Sequence, residues 1–103
     1  MIPDNYKAFQ DTLSLDEAPK GWPSGLRALW YDAKGDWESS HDIAQDIHNS
    51  LGSWIHAYLH RKEGDRFNAG YWYRQANKSF PKYTLEEELK SIVEHVLSVN
   101  KEG

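Results

Sequence analysis

The sequence predicts an all-α fold: antiparallel helical hairpins in which two repeat-like units are flanked by an N-terminal and a C-terminal capping helix. Three observations point there. Apolar residues recur at spacings of three and four through most of the chain, the period of a helix that buries one face. Two Gly-Asp corners, Gly35-Asp36 and Gly64-Asp65, break that pattern 29 residues apart. Around each corner small residues recur where paired helices must approach closely. Helical pairs of this kind cannot bury their apolar faces alone and stack for that reason. The 103 residues suit one domain, 1–103, with one core shared by all elements.

Residues 1–16 place Tyr6, Phe9 and Leu13, with Ile2, on one stripe of a short helix. Pro3 suits its first turn, and Asp4 its positive end. The breaker cluster from Pro19 to Gly25 ends that helix, with Trp22 tucked beneath the loop and Ser24 expected to cap the next helix. The first hairpin, 26–51, puts Leu26, Leu29, Trp30 and Ala33 on one helical face. Its second helix is predicted to run from Trp37 to Asn49, with Trp37, Ser40, Ala44, Ile47 and Leu51 in line. At 100° per residue, His41 and His48 fall within about 40° of Trp37, at the border of the buried face.

Asn49 to Gly52 is expected to be the break before the second hairpin, 53–81. Trp54, Ile55, Tyr58 and Leu59 form its broad apolar side, and His56, His60 and Glu63 a separate polar stripe. After the corner, Phe67, Ala69, Tyr71, Trp72, Tyr73 and Ala76 surround the helix predicted over 66–77. A helix apolar nearly all round is expected to lie between two neighbours. The last helix, 84–99, opens on a Thr84/Glu87 capping box and carries Leu85, Leu89, Ile92, Val93, Val96 and Val99. The run Glu86-Glu87-Glu88 reads as a solvated charge cluster at its start, and residues 100–103 as a frayed end.

These residues resemble tetratricopeptide-like (TPR-like) repeats. In the first unit Ala28, Tyr31, Gly35, Asp36 and Trp37 match that family's pattern, with Ser40 where Ala is usual. In the second, Ala57, Gly64, Asp65, Ala69, Tyr73, Ala76 and Pro81 match, and His60 and Arg66 depart from it. The Gly-Asp-Trp corner with the HAYLHRKEGD and YWYR strings also looks like a group of small bacterial proteins, a resemblance that brings no activity with it. In the repeat family the first helix of each unit lines a concave binding side. The resemblance thus implies that Asp32, Trp54, Tyr58 and Arg61 face a ligand, and Arg74 joins them as an Arg of the kind that dominates interfaces.

Composition narrows the function classes. The formal net charge is −4 and no Lys/Arg run stands out, so nucleic acid and anionic membrane are excluded as expected partners. With no cysteine, disulfides and thiolate metal sites are impossible. No signal-like or membrane-spanning apolar run is visible, which makes the cytoplasm the expected compartment. His56-Ala-Tyr-Leu-His60 has the i, i+4 spacing of paired metal ligands, but Ala57 stands where a zinc protease needs its general-base Glu. His41, His48 and Glu63 are the further candidate ligands. The sequence therefore favours a non-catalytic module without cofactor that binds a protein, a peptide or a second copy of itself. The alternative is a small metal-binding protein or hydrolase built on the histidines.

Overall fold

The computed structural model describes residues 2–102, with side chains as far as residue 100. Six helices and no strand occur among them: α1 (Tyr6–Asp11), α2 (Ser24–Ala33), α3 (Trp37–Ala44), α4 (Ser50–Lys62), α5 (Arg66–Gln75) and α6 (Leu85–Glu102). None is long and apolar enough to cross a membrane. A 3-10 turn, Thr12–Ser14, extends α1. This first helix is shorter than predicted. The Asn5 side chain accepts from the Ala8 amide and starts the helix there, which leaves Pro3 outside. Pro23, not Ser24, is the N-cap residue of α2, and its carbonyl accepts from the Arg27 amide.

The two Gly-Asp corners match bond for bond. Gly35 and Gly64 both sit at φ +89°, a left-handed conformation that glycine adopts at little cost. The Gly35 amide donates to the Asp32 carbonyl and the Asp36 amide to Tyr31. The Gly64 amide likewise donates to Arg61 and the Asp65 amide to His60. Asp36 and Asp65 then cap α3 and α5 through the Ser39 and Asn68 amides, 3.1 Å in each case. Each corner thus satisfies the end of one helix and the start of the next within three residues.

The helix predicted over 37–49 stops at Ala44. Asn49 caps a new helix by accepting from the Gly52 amide at 3.0 Å, so the expected break at 49–52 is the first turn of α4. Gly52 allows the two elements to press together: a Cβ there would lie 1.9 Å from the Ile47 carbonyl oxygen.

Helix α4 is the hub, packed against α2, α3, α5 and α6. Ile55, Ala57 and Leu59 are fully buried on it. Helix α5 is not the enclosed helix its aromatic content suggests. It packs chiefly on α4 and buries only Ala69 and Tyr73, whereas Phe67 is 85% and Tyr71 45% exposed. Helix α6 opens as predicted, with Thr84 Oγ1 accepting from the Glu87 amide and Glu87 accepting from the Thr84 amide, both at 3.1 Å. It continues in helical form to Glu102 rather than fraying at residue 100; Gly103 lies outside the described residues. On its stripe Leu97 is buried and Val99 exposed. It lies across α1, α2 and α4. Trp22 is buried beneath its loop against Phe9, ring centroids 6.3 Å apart.

Candidate metal centre

Helices α3 and α5 both pack on α4, whose His56 meets a ring of each; His60 follows one turn on, and Glu63 is the C-cap residue. His56, His60 and Glu63 are the polar stripe read from the sequence. His56 and His60 sit on successive turns of α4 with rings stacked at 5.0 Å and 18°. His41 on α3 comes edge-on to both, its centroid 4.5 Å from that of His56 and 5.5 Å from that of His60. One ring nitrogen from each of the three lies within 4.8 Å of the other two.

Two indoles hold the group from outside. Trp37 stacks on His41 at 4.8 Å and donates its Nε1 hydrogen to the Leu59 carbonyl of α4 at 2.9 Å. Trp72 of α5 stacks on His56 at 4.1 Å, nearly parallel at 7°. The rings therefore cannot swing freely.

A carboxylate completes the arrangement. His60 Nδ1 lies 2.6 Å from Glu63 Oε2. A carboxylate oxygen at this distance favours the tautomer with the hydrogen on Nδ1, which leaves the Nε2 lone pair for a cation. A metal-binding imidazole is commonly oriented by such a partner. Burial pushes His56 down to about 4, assisted by the neighbouring charges of His41 and His60. Neutral pH thus leaves His56 unprotonated, the form that binds a cation. Asp65, the capping residue of the second corner, also approaches His60 and Glu63 within this distance.

His48 does not join the group. It lies in the α3–α4 connection, exposed, because α3 ends four residues before it. Together with His56 it lines a cleft of about 340 Å³ between α3, α4 and α5.

The residues expected on a concave binding side turn inward, and α6 lies over them. Asp32, 2% exposed, accepts from the Tyr58 hydroxyl at 2.8 Å and from Lys62 Nζ at 2.9 Å. Trp54 Nε1 donates to Glu88 at 3.1 Å, and Arg61 donates to the same carboxylate at 2.8 Å and to the Tyr83 carbonyl. Arg74 is exposed on α5. Glu88 corrects the reading of the acidic run: Glu86 and Glu87 are solvated, but Glu88 is fully buried, with the Tyr73 hydroxyl also bonded to it at 2.7–2.8 Å. Its signal was present, because position 88 falls on the apolar stripe between 85 and 92. In the sequence Trp37, Trp72 and Asp65 look like packing and corner residues, and no spacing ties them to the histidines.

No protein-family model, curated protein or solved structure matches this chain.

Proposed function

We propose that this protein is a small helical metal-binding protein, with His41, His56 and His60 as ligands for a divalent ion of the zinc class. The convergence of three imidazoles from two helices within 4.8 Å carries this reading. Three nitrogens on tetrahedral zinc sit about 3.3 Å apart, from Zn–N distances of about 2.0–2.1 Å. Small ring rotations close the difference, with Trp37 and Trp72 keeping the rings in place. An all-nitrogen donor set with a carboxylate behind one ring suits zinc, copper(II) or nickel(II), and not calcium or magnesium, which take oxygen ligands. Three protein ligands leave a fourth position, the pattern of sites that bind water or substrate.

The test is titration of tag-free protein with zinc or cobalt(II), followed by calorimetry and visible absorption. One ion per chain is expected, with loss of binding in His41→Ala, His56→Ala and His60→Ala. At free zinc about 100-fold above Kd the native state gains about 2.7 kcal/mol. For a domain of this size that raises Tm by about 10 °C or more. A native chain that takes up no zinc, cobalt(II), copper(II) or nickel(II) refutes the reading.

A second reading, a protein- or peptide-binding module of TPR-like construction, draws support from the matched Gly-Asp corners and from the exposed Phe67 and Tyr71 on α5. Sizing at increasing concentration tests its self-association form, with Phe67→Ser as the disrupting variant.

A further inference from the structure

We infer that the fourth position of the metal opens on the cleft between α3, α4 and α5, and that the cleft takes a small carboxylate. This rests on the metal reading above. His56 belongs to both: it is one of the three converging imidazoles, and its ring is part of the cleft wall. The two meet at His56, with His60 one turn further along α4 and Ser53 one turn back in the cleft wall. Helix α3 ends at Ala44, and the connection from Gln45 to Asn49 forms one wall of the cleft. At about 340 Å³ the cleft holds a small molecule and not a peptide.

Its lining sets the ligand class. Gln45, Ser53 and Gln75 offer amides and hydroxyls, Trp72 an apolar side and His48 an imidazole; among the described residues no Asp, Glu, Lys or Arg lines it. Beside a divalent ion held by three neutral rings, the net charge to be matched is positive. A monoanion with oxygen donors answers it, one oxygen on the metal and the other on neutral hydrogen-bond donors. A cationic ligand would meet no counter-charge there.

The experiment uses the full chain loaded with cobalt(II), whose visible spectrum reports its ligands. Sodium acetate is the probe, with sodium perchlorate as the ionic-strength control. Acetate is expected to shift the bands saturably, while perchlorate does not. Gln75→Leu, an exposed position, and Ser53→Leu, which narrows the cleft, are expected to weaken acetate about three- to tenfold and leave the cobalt titration unchanged. If cobalt binds and the spectrum ignores acetate, the inference is overturned and the metal reading stands. If acetate shifts the native and variant spectra equally, the fourth position opens elsewhere and the inference is overturned as well. A chain that binds no cobalt removes both.

Discussion

Replacing Arg61 by Met should be among the most damaging single changes in this protein. Glu88 is fully buried, and Arg61 is the cation on it, 2.8 Å from Oε1 with its side chain 16% exposed. Methionine keeps most of the volume but leaves a buried carboxylate held only by the neutral donors Trp54 and Tyr73. Breaking a buried ion pair by removing one partner costs about 3–5 kcal/mol. The two surviving donors place this case near the lower end, about 3 kcal/mol, or a fall in Tm of about 12 °C or more for a domain of this length. Glu88→Gln in the Arg61→Met background removes the orphaned charge while its amide oxygen still accepts from Tyr73. About half of the loss should return. Thermal and urea unfolding followed by circular dichroism measure both. An Arg61→Met loss below about 1 kcal/mol, or a double variant less stable than the single, would refute the view of Glu88 as a charge that needs its cation.

Three further outcomes follow from local geometry and charge. Gly52→Ala should cost about 3 kcal/mol in the same assay, because its Cβ would meet backbone at Ile47; Gly64→Ala, strained only by its φ of +89°, should cost about 1 kcal/mol. His56 is held at about 4 in the folded state against 6.5 when unfolded, so the neutral ring favours folding. That contribution is present above pH 6.5 and disappears as pH falls towards 4, amounting to about 3 kcal/mol in total. A His56→Gln variant should lack this part of the pH dependence between 6.5 and 4 in unfolding experiments, with His41, His60 and Glu63 left as the neighbouring groups.

Local chemistry was legible in the sequence, and the placement of neighbours was not. The Thr84/Glu87 box and the two Gly-Asp corners depend on residues within a few positions of one another, and their hydrogen bonds are those the residue types call for. The i, i+4 pair His56/His60 likewise needs only helical spacing. Which of His41 and His48 meets that pair depends on where α3 stops. Asn49 and Gly52 decide that, and both read more simply as loop residues than as a helix start. Aromatic content misplaced α5, because Phe67 and Tyr71 are apolar residues on a face that nothing covers. Glu88 was hidden by its company: three consecutive acids at a helix start suggest solvent, and only the arrival of Arg61, Trp54 and Tyr73 from 15 to 34 residues away makes one of them internal.

The seating of α5 has a consequence for the cleft beside it. Two of the three walls, α3 and α4, belong to the framework that the other helices brace from several sides. The third is carried by a helix that leans mainly on α4, through Ala69, Tyr73 and the Trp72–His56 stack. Moving that wall would slide Trp72 along His56 and draw Tyr73 away from Glu88, so the width of the cleft and the setting of the His56 ring are tied together.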